Sequence, residues 1–573
     1  MVDRALGSAP LRVRWLGQVD YSDALELQRG IFATDDNYLL LLEHPHVYTK
    51  GVRTDVANIG EVGSVPIVEA NRGGDVTYHG PGQLVGYPIL NVPGKRGGGM
   101  ADTVAYVESV EQLIIDTLVA VGLSSVGRVR GLPGVWVDPE SDTPRKIAAV
   151  GVRLSRGRSM HGFALNVNPD LAYFDNIVPC GIDDKGVTSL TAEGAEVTMR
   201  SVVDTLVSLA EERWGSGHAN SAADRADVVW RHRIEDLSLF SRGAGPGEAS
   251  GTAANPHVDG TSVRLQSRLG EAGVTEGLQI SSRKPEWMRV KAEMGDDYRR
   301  LKGVMRDLNL VTVCEEAGCP NIYDCWSDGT ATFMINGERC TRACGFCLVD
   351  TRKPEAPDPA EPDNVAEAVE RMQLDFAVLT TVARDDLADG GAQGFADTIA
   401  AIRTRTPGVG VEVLISDCKG DPESLDIIFD ARPDVLNHNI ETVARLQRMA
   451  RPSASYARSL AVLSRAKQTG LTTKSSIIVG MGETFDEVTQ TMTDLAAIGL
   501  DIVTIGQYLR PTSHHVPVAR WVTPDEFAEW KRIGEKELGL SHVESSPLTR
   551  SSYHAKQAAG AATASSASTV TSP

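Results

Sequence analysis

Apolar residues recur at helical spacing over residues 102–122 (DTVAYVESVEQLIIDTLVAVG), where Val107, Val110, Ile114 and Leu118 form one stripe. Short β-branched runs surround it at 85–92 (VGYPILNV), 134–138 (GVWVD) and 148–154 (AAVGVRL), separated by long glycine-rich loops. This pattern predicts one α/β domain. From residue 330 the pattern changes. Apolar runs at 331–335, 376–382, 411–416, 435–440, 473–480 and 502–509 alternate with helical stretches such as NVAEAVERM and YARSLAVLSRAK. Strands that alternate with helices predict a parallel sheet, because parallel crossovers need a helix. The expected fold class is α/β throughout, with a partial (β/α)6 barrel in the second half.

Between the two patterns, residues 243–262 (GAGPGEASGTAANPHVDGTS) have linker composition. Residues 557–573 (QAAGAATASSASTVTSP) are of low complexity and read as a disordered tail. The expected division is a domain at 10–216, a linker and N-terminal extension at 217–283, a second domain at 284–556, and the tail. The length of 573 residues allows this, at roughly 150 residues per domain. Hydrophobic residues at 42% and charged residues at 23% exclude a wholly disordered, collagenous or coiled-coil chain. The net charge of −19 fits poorly with binding to nucleic acid or to an anionic membrane surface. No apolar run approaches the ~18–20 residues of a membrane span. The start, MVDRALGSAPLRVRWLG, lacks the apolar stretch and cleavage site of a secretory signal, so the expected location is the cytoplasm.

Six of the eight cysteines fall between 314 and 347. They form two triads, Cys314-x4-Cys319-x5-Cys325 and Cys340-x3-Cys344-x2-Cys347. In a reducing compartment such clustering reads as ligation of zinc or an iron–sulfur cluster by soft thiolates. A structural zinc usually takes four ligands in paired CxxC knuckles, and neither triad offers such pairs. Three thiolates on a four-iron cluster leave one iron open for chemistry, by the logic of an open catalytic metal site. Cys418 stands alone and reads as a small buried hydrophobe.

The CTRACGFC segment resembles the signature of radical S-adenosylmethionine (SAM) enzymes. With KPEWMRVK, CEEAGCPNIYDCW, TTVARDDLADGGA, NHNIETV, GMGET, TIGQYLRPT and RSSYHA, all in order over about 284–556, it resembles the lipoyl synthase family. That resemblance implies two [4Fe–4S] clusters and SAM. It assigns Cys340, Cys344 and Cys347 to the cluster that binds SAM, and Cys314, Cys319 and Cys325 to an auxiliary cluster. A serine of RSSY, Ser551 with Ser552 as the alternative, is the implied fourth auxiliary ligand. The implied activity is insertion of two sulfurs, at C6 and C8 of an octanoyl chain, from an auxiliary cluster that is broken up. One departure stands out: this chain reads LISDC at 414–418 where the family commonly reads LIPDF.

In the first half, Cys180 lies in IVPCGIDDKGVTSL. Upstream, RGGDVTYHGPGQLVGYPIL at 72–90 has glycines that allow close backbone approach to a ligand. Lys146 follows in RKIAAVGVR and His161 in HGFALNV. A lysine near a thiol favours thiolate, which can hold an acyl group as a thioester and pass it to an amine. These motifs, over about 12–215, resemble the octanoyltransferases of the biotin/lipoate ligase superfamily. The resemblance implies a Cys180–Lys146 dyad, with Arg72, Gly73, Gly74, Tyr78, His79, Gly80, His161 and Gly162 around the acyl pocket.

The implied whole is a bifunctional enzyme. Its expected partners are octanoyl-acyl carrier protein, lipoyl domains of 2-oxoacid dehydrogenase E2 subunits and of glycine cleavage H protein, a reductant such as ferredoxin or flavodoxin, and an iron–sulfur carrier. Neither nucleic acid nor membrane is expected. A fused ferredoxin would need four cysteines per cluster and a small domain. An ATP-dependent ligase would not need Cys180 as a nucleophile. The remaining alternative has one half active and the other serving only to dock lipoyl domains.

Overall fold

The computed structural model describes residues 10–94, 101–179, 185–215, 224–228, 263–279, 282–289, 303–308, 310, 321, 325, 326 and 328–570. Cys180, Cys314, Cys319 and the expected linker at 243–262 lie outside the described residues. The chain divides into two compact units, Met1–Trp230 and Arg231–Pro573.

The first unit is built on a mixed sheet. Its strands are β1 (Leu11–Gln18), β2 (Asn37–Glu43), β3 (Val47–Lys50), β4 (Ile67–Glu69), β5 (Thr77–His79), β6 (Gln83–Ile89), β7 (Val126–Val129), β8 (Leu132–Val137), β9 (Arg145–Ser155), β10 (Arg158–Asn166), β11 (Gly186–Val187) and β12 (Asp224–Asp227). The main sheet runs β12-β1-β2-β6-β10-β9-β8-β7 with β11 beside β9, and β4-β3-β5 form a small second sheet. β6 and β10 are buried at every residue and β2 at all but its last; β2 and β6 read as largely apolar runs, while β10 also buries Arg158, Ser159, His161 and Asn166. Helix Thr103–Ala120 forms as the stripe predicts. Asp102 caps it by accepting from the Ala105 N–H, and Val110, Ile114 and Leu118 reach the core. β12 pairs with β1, so the first unit extends past the boundary expected at 216.

The second unit is a parallel sheet in chain order: β13 (Thr330–Ile335), β14 (Phe376–Thr381), β15 (Gly410–Leu414), β16 (Val435–Asn437), β17 (Thr473–Val479), β18 (Ile502–Gln507) and β19 (His542–Ser546). Six strands are expected and seven are present among the described residues. β19 escapes the pattern because HVESS buries only Val543. Side chains alternate across the sheet. Ala331, Phe333, Ile335, Leu379, Val411 and Val413 pack with the surrounding helices. On the opposite, inner face, Thr332, Thr380, Glu412, Asn437, Lys474 and Thr504 are buried. There Lys474 spans β16 to reach both oxygens of Glu412 at 2.9–3.0 Å, and Asn437 donates to the same carboxylate at 2.9 Å.

Residues Ala555–Val570 form a helix, which corrects the expectation of a disordered tail from 557. Alanine has the highest helix propensity. Ala555, Ala558 and Ala562 present a small-residue face that packs on Phe376, Val378, Val435 and Ile502, at the N-terminal ends of the strands. Lys556 pairs with Asp375 at 2.7 Å and Gln557 donates to Asp328 at 2.6 Å. Residues 263–279 also join this unit. Glu271 pairs with Arg448 at 3.2 Å, and the Leu278 N–H donates to the Val518 carbonyl at 2.7 Å.

Candidate active sites

Register places Lys146 on β9 opposite Trp136 on β8. Lys146 is 5% exposed, and its Nζ has no hydrogen-bond partner among the described residues. Its nearest recorded aromatic contact is the Trp136 ring, whose centroid lies 4.8 Å away. The segment holding Cys180 is anchored at both sides. Val178 donates to the Asn58 carbonyl at 2.8 Å, and β11 returns beside β9 with Val187 paired to Lys146. The chain thus reaches Lys146 within seven residues of Cys180.

The glycine loop packs against β9. Arg72 is buried and donates to the Thr49 carbonyl at 2.7 Å and to the Asp75 carbonyl at 2.8 Å, which fixes the loop's shape. The Gly73 N–H donates to the Val152 carbonyl, and Gly74 has φ +95°, a conformation that favours glycine. Gly80 and Gly162 leave no room for a Cβ: one would strike the Tyr78 hydroxyl, the other the Gly86 carbonyl. Tyr78 is fully buried, stacks on Tyr173 at 5.0 Å and hydrogen-bonds to His46 Nδ1 at 2.7 Å.

His79 and His161 are also buried. His79 Nδ1 donates to Gln83 Oε1 at 2.7 Å, and His161 Nε2 donates to Asn71 Oδ1 at 2.6 Å. His44 joins them, donating from Nδ1 to the Val19 carbonyl and accepting at Nε2 from the Tyr87 hydroxyl, both at 2.7 Å. Burial lowers His44 to about 4 and His161 to about 3, and His79 falls well below its ordinary value through burial and the neighbouring His44 and Arg72. All three imidazoles are neutral near pH 7. His44 and Asn71 lie outside the motifs, and Gln83 and Tyr87 lie within the 72–90 segment without standing out there. Only the fold shows that they form one polar cluster with the residues expected.

In the second unit, Cys340, Cys344 and Cys347 sit half-buried on the loop after β13, where a barrel places its chemistry. Backbone hydrogen bonds fix that loop: Cys340 to the Asp350 carbonyl at 2.8 Å, Gly345 to the Ala450 carbonyl at 2.7 Å, and Val516 to the Gly345 carbonyl at 2.8 Å. A Cβ on Gly345 would press on Val516 and the Met449 carbonyl, so a side chain there would require these neighbours to give by a few tenths of an ångström. Burial pushes the Cys344 thiol up to about 12 and the Cys347 thiol up to about 11; Cys347 and Cys340 raise Cys344 further, and Cys340 raises Cys347. Among the described residues no three His, Cys, Asp or Glu side chains already stand at metal-holding spacing. The donor set of three neighbouring soft thiols on a fixed loop nonetheless fits an iron–sulfur cluster, whose binding deprotonates its ligands. A polar cleft of about 260 Å³ opens beside the loop, lined among others by Met334, Asn336, Arg339, Glu361 and Arg384.

Of the first triad the structure describes Cys325, half-buried, whose N–H donates to the Asn321 carbonyl at 3.0 Å. Asn321 in turn donates to the Leu548 carbonyl at 2.7 Å, three residues before Ser551. Ser551 and Ser552 lie half-buried in the turn before the last helix. Thr549 passes so close to Gly506 of β18 that any side chain there would strike its carbonyl. Asn321, beside Cys325, and the segment leading into RSSY are therefore neighbours. Cys418 is buried against the helices' core, as expected of a hydrophobe. No helix among the described residues is long and apolar enough to cross a membrane.

Comparison with known proteins follows this geometry. Residues 20–210 match the family model of the lipoyl protein ligase A/B catalytic domain. Residues 266–319 match the N-terminal domain of lipoyl synthase of the radical SAM family, and 334–495 match the radical SAM superfamily. The lipoyl synthase of Nocardia farcinica is 51% identical over 293 residues, covering 51% of this chain and 81% of that protein. The lipoyl synthase of Rubrobacter xylanophilus is 55% identical over 276 residues, covering 48% and 86%. That of Mycolicibacterium paratuberculosis is 54% identical over 293 residues, covering 51% and 93%.

Proposed function

The chain belongs to the lipoyl synthase family and carries a lipoyl ligase/transferase catalytic domain ahead of it, and from this we propose that its two halves act in succession on one lipoyl domain. The family uses SAM and [4Fe–4S] clusters, one radical and one auxiliary. Bound here, they would supply the adenosyl radical that activates the octanoyl chain and the sulfur that enters it. Cys340, Cys344 and Cys347 would hold the first cluster; Cys314, Cys319, Cys325 and Ser551 the second.

In the first half, the Cys180 thiolate attacks the thioester carbonyl of octanoyl-acyl carrier protein. The carrier thiol leaves with a proton given up by Lys146 Nζ, and an octanoyl thioester remains on the enzyme. The amine of a lipoyl-domain lysine then attacks this thioester. Cys180 leaves as thiolate, and the amine's surplus proton is taken up at Lys146 Nζ. The observation that carries this reading is Lys146 itself, buried and without a hydrogen-bond partner among the described residues. A buried side-chain amine with no hydrogen-bond partner among the described residues is costly to keep unless it serves chemistry. The presence of Cys180 in the sequence, seven residues before the partner of Lys146, favours acyl transfer over adenylation. The neutral histidines and the glycine loop shape the pocket and exclude water, while Arg72 holds the loop.

The test mixes protein with octanoyl-acyl carrier protein and maps the adduct by mass spectrometry. The octanoyl group is expected on the peptide containing Cys180, and Cys180→Ser is expected to lose transfer while still inserting sulfur into a pre-octanoylated lipoyl domain. An adduct elsewhere, or full transfer by the variant, would overturn the assignment.

A further inference from the structure

Arg342 lies between Cys340 and Cys344, and its side chain points away from solvent, 8% exposed. Its guanidinium meets Asp385 through two parallel bonds, Nε to Oδ2 and Nη2 to Oδ1, both at 2.8 Å. The same Nη2 donates to Asp417 Oδ1 at 2.6 Å. Asp417 is 1% exposed and Asp385 about a quarter exposed. Asp385 follows β14 and Asp417 follows β15, so one side chain ties the cysteine loop to the C-terminal ends of two strands.

The tie is reinforced locally. Thr341 donates from its backbone to the Ala383 carbonyl at 2.9 Å and from its hydroxyl to Asp385 at 3.0 Å, while the Asp385 N–H donates back to that hydroxyl at 3.1 Å. Lys419 closes the far side on the Asp385 carbonyl at 2.8 Å. The Arg342 N–H also points at Cys340 Sγ, 3.4 Å away. A charged group so deeply placed is expensive to bury unless each contact is met. Bidentate geometry adds orientation as well as energy, and a lysine cannot reproduce it.

We propose that Arg342 is the positioning residue of the cysteine loop, holding Cys340 and Cys344 in ligand geometry through Asp385 and Asp417. The proposal deepens the reading that the Cys340–Cys347 loop holds the SAM-binding cluster, and rests on it. It places the determinant of cluster geometry in a side chain whose hydrogen bonds go to Asp385 and Asp417. Asp417 then links that geometry to β15, the strand whose end departs from the family's common sequence.

The experiment compares reconstituted Arg342→Gln, Arg342→Lys and Asp417→Asn with the parent and with the triple change of Cys340, Cys344 and Cys347 to Ala. Readouts are iron content and the electron paramagnetic resonance spectrum of reduced protein, with and without SAM. Octanoyl transfer serves as the internal control for intact protein. The triple variant is expected to hold about four irons against about eight in the parent. Arg342→Gln and Asp417→Asn are expected to bind iron between these limits, with the spectral response to SAM weakened about tenfold. Arg342→Lys should keep the iron but not the parent's spectrum. Asp417→Asn is nearly isosteric, and it decides alone if Arg342→Gln does not fold. Parent-like iron and an unchanged SAM response in Asp417→Asn would overturn the proposal. A triple variant that still holds both clusters would overturn the underlying cluster assignment instead.

Discussion

His44, His79 and His161 illustrate how burial sets chemistry one residue at a time. Each loses water on folding, so the charged form is disfavoured and the folded protein keeps the ring neutral. Unfolded, each regains a value near 6.5 and binds a proton below it. The folded pKa is depressed, so this stability is full above about 6.5 and is lost as pH falls toward about 4. The first unit's calorimetric transition is expected to drop over that range, and His44→Gln should reduce the dependence by about one proton. A transition indifferent to pH there would contradict the buried neutral histidines. A second residue prediction concerns Ser551. An oxygen ligand holds iron less firmly than thiolate. Ser551→Cys is therefore expected to keep both clusters and still release 5′-deoxyadenosine, yet to lose most lipoyl-peptide formation. Normal lipoyl formation would move the assignment to Ser552.

At the scale of elements, the legible parts were those with a period or a motif. The helix at 103–120 and six of the parallel strands follow from spacing alone. Both cysteine triads show as clusters in one dimension, and the structure then finds the second on a single loop. What stayed hidden depends on contacts between distant segments. β19 has one apolar anchor, Val543, and becomes a strand only because β18 offers it an edge. The residues that surround His161 come from 71, 28 and 87, and nothing in a local window joins them. The last helix escapes the sequence pattern because its alanine and serine repeats look like low complexity. Its buried face becomes visible only against the strand ends that it covers. That helix yields a prediction of its own. Ala558→Asp would bury a charge against Phe376 and Ile502 and should cost about 2–4 kcal/mol, lowering the second unit's melting temperature. Because the RSSY turn immediately precedes it, auxiliary iron should fall as well. An unchanged melting temperature and iron content would show that the helix does not hold this part of the barrel together.

For the whole molecule, two compact units carry a lipoyl ligase/transferase catalytic domain and a lipoyl synthase domain. On the function proposed above, the first half makes an octanoyl amide on a lipoyl domain, and the second acts on that chain. Tethering two sites that share a diffusible intermediate raises the local concentration of the second without any new contact. The central claim is that a single chain converts an unmodified lipoyl domain to its lipoylated form. The most direct measurement supplies purified, reconstituted protein with unmodified lipoyl domain, octanoyl-acyl carrier protein, SAM and a reductant, and follows the domain by intact-mass spectrometry. The parent should pass through the octanoyl form to the lipoyl form. Cys180→Ser should stop at the unmodified domain, and the triple change of Cys340, Cys344 and Cys347 to Ala should stop at the octanoyl form. A parent that never octanoylates the domain, or a triple-cysteine variant that still yields the lipoyl form, would contradict the account.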